Sequence, residues 1–201
     1  DWISLTMNED ERNNSKEYFH RKTGIANITM CINCTHIKIK KKKPHHRPLL
    51  YINRKRFYSL NVMLFCDHKC RIRSINAKFP GSYHDAFVWG VSAARKHFEE
   101  LHRTGRIDKL LGDARYPGEP WLGRPHRDPD PGSEEALFNS SHSSGRILVE
   151  MTIGILKSRF RCLNGIDGCL NYAPEKCGKI INVCSALHNI CVEHNLEWNQ
   201  Q

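Results

Sequence analysis

Two apolar runs, Phe57–Asp67 (FYSLNVMLFCD) and Cys70–Phe79 (CRIRSINAKF), are separated by only His68 and Lys69. Two residues leave no room for a crossover, so the pair reads as an antiparallel hairpin. Upstream, Ile25–Lys40 (IANITMCINCTHIKIK) is rich in β-branched residues, with alternation clearest in Thr35–Lys40, and reads as a strand preceding the hairpin. Downstream, Pro80 and Gly81 close the hairpin's second strand, and Ser82 or Asp85 can cap a helix running to about His102. Ile107–Leu111 then reads as a fourth strand, ending at Gly112 and Asp113.

The rest of the chain reads as helices and loops. Five prolines make Pro117–Pro131 a loop, Ser133–Phe138 opens a helical stretch, and Arg146–Phe160 is a stronger amphipathic helix. In Pro174–Glu193 the residues Ile180, Ile181, Cys184, Leu187, His188 and Cys191 recur at helical spacing. A further helical stretch, Asn8–His20, leads in. Strand, strand, strand, helix, strand, then helices describes an α/β protein: a mixed sheet flanked by helices, in the element order of the ribonuclease H-like fold. At 201 residues the expectation is one unit over 25–195, with residues 1–24 a helical lead-in to it and 196–201 a tail. The chain opens at Asp1 in mid-pattern, which suggests a piece of a longer protein.

Charge narrows the function. The chain holds 31 Lys and Arg against 21 Asp and Glu, a net +10, and from Tyr18 to Cys66 it has no acidic residue at all. That stretch carries Lys40, Lys41, Lys42, Lys43, Arg47, Arg54, Lys55 and Arg56 among its basic residues. A local patch of this kind supplies the salt-sensitive, sequence-independent part of phosphate-backbone binding; a solvated loop or a nuclear-import signal would use the same residues. No apolar run approaches the roughly 18 residues of a membrane span, so no membrane partner is expected. The nine cysteines are odd in number and scattered through apolar stretches, which favours buried thiols over a disulfide framework. Cys31-x-x-Cys34 with Cys66-x-x-x-Cys70 could form a four-thiolate zinc site, but positions three apart on a strand point to opposite faces.

Metal-assisted phosphoryl transfer needs carboxylates converging from separate elements. In this element order the natural positions are the first strand, the end of the fourth strand and a late helix, where the chain has Asn33, Asp113 and Glu150. Asp85 could reach the same place, or could simply be a helix cap; Asp67 reads as a turn residue. Arg146, Lys157 and Arg161 lie at offsets of −4, +7 and +11 from Glu150 and are expected to share its helix face, where they could position a phosphate backbone.

Several segments together resemble the transposases of the PIF/Harbinger group. These are Ile32-Asn33-Cys34-Thr35-His36-Ile37, Tyr51-Ile-Asn53-Arg54-Lys55 with Tyr58-Ser59-Leu60-Asn61-Val62, Pro80-Gly81-Ser82-Tyr83-His84-Asp85 and Leu111-Gly112-Asp113-Ala-Arg-Tyr116-Pro117. Pro120-Trp121-Leu122, Val149-Glu150 with Gly154, Lys157-Ser-Arg159-Phe160-Arg161-Cys162-Leu163 and Leu187-His188-Asn189-Ile190 complete the set. The resemblance implies a DDE-type catalytic triad holding Mg²⁺ or Mn²⁺ for DNA strand cleavage, hence a divalent-metal-dependent endonuclease that is nuclear, with the cytoplasm as a second compartment. It also implies a separate Myb-like DNA-binding partner. Asp113 and Glu150 match the second and third triad positions, and Asn33 stands at the first. Its neutral amide brings one charge less than a carboxylate, so impaired cleavage is expected. The alternative is a catalytically inactive descendant that keeps the fold as a DNA-binding or protein-interaction module.

Overall fold

The computed structural model describes residues 2–40, 48–166 and 168–196. Lys41, Lys42, Lys43 and Arg47 of the basic run lie outside the described residues. The first helix, α1 (Glu9–Thr23), starts on a capping box: Asn8 Oδ1 accepts the Glu11 N–H at 2.8 Å and Glu11 Oε2 accepts the Asn8 N–H at 3.1 Å. It ends on Gly24 in the left-handed region, φ 71°, where a glycine carries no Cβ penalty.

Strand β1 (Ile28–Lys38) is the middle of a five-stranded sheet of order β3-β2-β1-β4-β5. It pairs antiparallel with β2 (Ser59–Cys66), which continues into β3 (Ile72–Pro80) as the expected hairpin. On its other edge β1 pairs parallel with β4 (Lys109–Leu111), and β4 pairs parallel with β5 (Leu122–Gly123). Three antiparallel strands joined to parallel ones, with helices on the faces, is the ribonuclease H-like arrangement.

Every residue of β2 is buried because both of its faces are covered. Leu60, Val62, Leu64 and Cys66 face one core, shared with α1, α4 (Glu134–Arg159) and α5 (Pro174–Glu193). Met63 and Phe65 face the other, beneath α2 (Asp85–Gly90) and α3 (Ala93–Arg103). A register shift between Ile28 and Met30 lets β1 serve both cores, since it turns Ile28 and Met30 to opposite faces although they are two apart. The same alternation turns Cys31 toward α4 and Cys34 toward the second core, so this pair does not converge.

Three elements depart from the sequence reading. The single helix expected from a cap at Ser82 or Asp85 to about His102 is two helices, because Ser92 restarts the chain as a new N-cap, its Oγ accepting the Arg95 N–H at 3.0 Å. The proline-rich loop contains β5, held to β4 by Leu110 N–H to Trp121 O at 2.8 Å and Gly112 N–H to Gly123 O at 2.9 Å. The stretches read as separate helices at Ser133–Phe138 and Arg146–Phe160 are one 26-residue helix. Its polar centre lacks apolar periodicity and is fixed by tertiary contact: Cys31 Sγ donates to Gly145 O at 3.5 Å, and Gly145 packs so closely on Leu111 and Thr23 that a Cβ there would sit 2.5 Å from Leu111 Cδ1.

At the far edge α5 lies on β3, with Gly178 against the Ala77 carbonyl, and Asn189 pairs with both backbone groups of Ile72, accepting from N–H at 2.7 Å and donating to O at 2.8 Å. No helix among the described residues is long and apolar enough to cross a membrane.

Candidate functional site

The parallel strands bring β1 and β4 side by side, with Cys31 opposite Leu111. Just past the end of β4 the chain turns at Asp113, and Gly112 is required there because a Cβ would meet the Tyr116 ring at 2.9 Å. Asp113 Oδ1 accepts the Arg115 N–H at 2.9 Å, closing an Asx turn. That turn sends the Arg115 side chain back over the same carboxylate, where Nε lies 3.0 Å from Oδ2. The guanidinium's other arm, Nη1, donates to Asp85 Oδ2 at 2.9 Å.

Asp85 therefore is not the helix cap. His84 occupies the cap position of α2, and the Asp85 carboxylate points to the sheet end, where Asn61 Nδ2 on β2 donates to Oδ1 at 2.9 Å. The same Asn61 Nδ2 donates to Tyr83 O at 2.8 Å, which fixes the loop that delivers Asp85. The two carboxylates are enclosed, with side chains 7% and 12% exposed, whereas the Arg115 side chain is 51% exposed. The Cys34 thiol sits beside them and accepts the Tyr116 O–H at 3.4 Å; burial, then the charge of Asp85, pushes its pKa well up, so it stays a thiol.

Asn33 lies on β1, Asp113 just beyond β4 and Glu150 on α4, the three elements expected of them. Their side chains are engaged separately. Asn33 Oδ1 accepts the N–H of Cys34 at 2.9 Å, and Glu150, largely exposed, pairs with Arg146 at 3.4 Å. A divalent ion would need oxygens free to converge, and here the amide oxygen is taken and both enclosed carboxylates already face a cation. Among the described residues no group of three or more His, Cys, Asp and Glu comes together as metal ligands. As arranged, these side chains do not fit a two-ion site.

The basic residues gather on the neighbouring rim. A turn over residues 53–57 is built on buried Asn53, whose Oδ1 accepts from Lys55 N at 2.9 Å while its Nδ2 donates to Ser59 Oγ at 3.0 Å. Arg54, Lys55 and Arg56 project from it into solvent, Arg56 with φ 62°. Arg54 lines a cavity of about 290 Å³ together with His36, Asn53, Tyr83, Asp85 and Arg115, so the basic turn and Asp85 with its Arg115 partner face one opening. Burial pushes the His36 pKa down, with Asp85 opposing and Arg54 assisting.

The shared helix face expected for Arg146, Lys157 and Arg161 does not form. Helix α4 ends at Arg159, which leaves Arg161 in a separate 3-10 turn, and Lys157 turns inward to β1. Arg115, Asn61 and Tyr116 were not expected from the sequence as site residues, and Cys34 was weighed only as a zinc ligand, although all four lie in segments that carry the family resemblance.

Residues 32–189 match the family described as DDE superfamily endonuclease. HARBI1 of Bos taurus is 36% identical over 186 residues, which is 92% of this chain and 52% of that protein. HARBI1 of Homo sapiens is 35% identical over the same length, with the same coverage. The Arabidopsis thaliana protein ALP1-like is 26% identical over 191 residues, 89% of this chain and 46% of that protein. The chain thus spans about half the length of the curated relatives it matches. Among solved structures, the Mos1 mariner paired end complex with Mn aligns with all of this chain and 67% of its own, at 10% identity and a TM-score of 0.33, too distant a likeness to support any step below.

Proposed function

Because the chain belongs to the DDE superfamily endonucleases, among the transposase-derived nucleases that include HARBI1, we propose that it binds the phosphate backbone of DNA across the opening between its basic turn and Asp85, and that it cleaves that DNA poorly or not at all. The superfamily implies a DNA substrate and dependence on a divalent metal. The observation that carries the binding half is the turn at 53–57: its rigid Asn53 frame holds Arg54, Lys55 and Arg56 exposed on the rim of the cavity that Asp85 also lines. Lys40 and Arg161 are exposed as well, and Lys41, Lys42, Lys43 and Arg47 add charge by sequence. The impaired cleavage follows from Asn33, whose neutral oxygen is already used by the Cys34 N–H.

When bound, a divalent metal would supply transition-state charge stabilisation in this family. What the chain's own residues do is position: Asn61 and the Asp113 turn hold two carboxylates at the sheet end, and the basic rim orients the backbone beside them. Fluorescence anisotropy with a 20-base-pair duplex across a salt series tests the binding. Replacing Arg54, Lys55 and Arg56 together by Ala should weaken affinity and flatten the log–log salt dependence by about 0.9 per lost phosphate contact. Unchanged affinity and slope would refute the assignment.

A second reading keeps metal-dependent cleavage, with Asp113, Glu150 and Asn33 becoming ligands only after they leave the partners they have here, Arg115, Arg146 and the Cys34 N–H. The retention of Asp113 and Glu150 on the expected elements favours it. Nuclear residence and a Myb-like partner are proposed from the family alone; fluorescence microscopy of the tagged chain tests the first and co-purification with such a protein the second.

A further inference from the structure

Two enclosed carboxylates at one sheet end repel one another, and either a shared proton or a positive charge between them relieves that repulsion. Here that charge belongs to the chain itself. Arg115 spans the pair, Nε 3.0 Å from Asp113 and Nη1 2.9 Å from Asp85, and its own backbone N–H closes the Asp113 turn that aims it. We infer that Arg115 is a tethered cation standing where a divalent ion would bind the Asp85–Asp113 pair, so that the pair takes up such an ion only when the guanidinium is displaced or removed.

Three properties of the arrangement support this. A guanidinium never loses its proton, so the occupant is permanent at any working pH. It is attached two residues from one of its carboxylates, which gives it an effective concentration of the order of millimolar or above, against which a free ion must compete. Its side chain is half exposed on the connection between β4 and β5, so it can swing into solvent without opening the core. Arg73 makes a useful contrast, because it too joins two carboxylates, Asp67 and Glu11 at 2.7 Å each, but is itself only 7% exposed and is fixed.

The inference deepens the cleavage half of the proposed function and is independent of DNA binding. Its test uses Mn²⁺ alone as the probe, read by isothermal titration calorimetry and by melting temperature at low ionic strength. The proteins are the chain as it stands, Arg115→Gln, Arg115→Ala, and each of the two with Asp113→Asn added. Arg115→Gln is shorter and neutral but keeps a hydrogen-bonding amide, and so guards against simple loss of the fold in Arg115→Ala. We expect both single variants to melt lower than the parent without Mn²⁺, to recover when it is added, and to bind it at least tenfold more tightly than the parent does. Adding Asp113→Asn should remove the gain. Equal Mn²⁺ affinity in the parent and the Arg115 variants, or a gain that survives Asp113→Asn, would overturn the inference. Duplex anisotropy on the same proteins without Mn²⁺ reports separately on the DNA-binding reading.

Discussion

Lys157 reaches from α4 to β1 and donates to Thr35 Oγ1 at 2.8 Å, with the His36 carbonyl 3.2 Å from the same Nζ. A lysine read from sequence as a phosphate contact is thus used to fix a helix to the central strand. Burial pushes its pKa down, and the neighbouring Lys55 adds to the effect. Replacing Lys157 by Ala should therefore cost stability, about 1–2 kcal/mol for the lost donor to two partly buried acceptors, measured by urea denaturation. Its effect on DNA affinity should be smaller than that of Arg54→Ala.

Stability should fall on acidification through the histidine range. His188 is fully buried, with Nε2 2.9 Å from Cys70 O and Nδ1 3.4 Å from Arg159 Nη1, so the arginine donates to Nδ1 and the proton resides on Nε2. Burial holds its pKa below the ordinary 6.5, and the backbone carbonyl only partly opposes this; His36, His68, His97 and His142 are shifted the same way by burial. Below about 6.5 the unfolded chain takes up protons that the folded chain refuses, so stability is complete above that value and declines as pH drops toward the folded values. Melting temperatures from pH 7.5 to 5.0 should decline, and His188→Gln should lower the plateau while making the decline shallower.

Helix α5 sits on β3 at a position that tolerates no side chain. A Cβ at Gly178 would lie 2.8 Å from the Ala77 carbonyl oxygen, which is backbone and cannot rotate away. Gly178→Ala should cost about 1–3 kcal/mol, seen as a lower urea midpoint, because the helix must lift off the strand.

Removing Arg73 should be costlier. Its guanidinium neutralises Asp67 and Glu11 and is buried with Asp67. Asp67 is also the hairpin's turn residue, its Oδ1 accepting the N–H groups of Lys69 and Arg71 at 2.9 and 3.1 Å. Arg73→Ala leaves a buried carboxylate without its partner and should lose about 3–5 kcal/mol in chemical denaturation.

The sheet was legible because its strands announce themselves locally. The two-residue gap at His68–Lys69 forces the hairpin, and the β-branched run before it supplies the centre. What escaped depends on contacts distant in sequence. Strand β5 is two residues long and exists only as a partner for β4, while the polar middle of α4 is helical because Gly145 fits between Leu111 and Thr23. For the site, element order located Asn33, Asp113 and Glu150, but not the path of their side chains. Asp85 read from the sequence either as a helix cap or as a carboxylate within reach of the site, and only the contacts with Asn61 and Arg115, distant in sequence, decide which way its side chain turns.

On the proposed reading, this chain binds DNA beside a site disarmed at Asn33 and held shut by Arg115. Mn²⁺-dependent nicking of supercoiled DNA tests this, using the chain as it stands, Asp113→Ala, Asn33→Asp, Asn33→Asp with Arg115→Ala, and that double variant with Asp113→Asn. We expect no nicking by the parent, the strongest nicking by the double variant, and loss of that nicking when Asp113→Asn is added. Efficient nicking by the parent that is abolished by Asp113→Ala would contradict it.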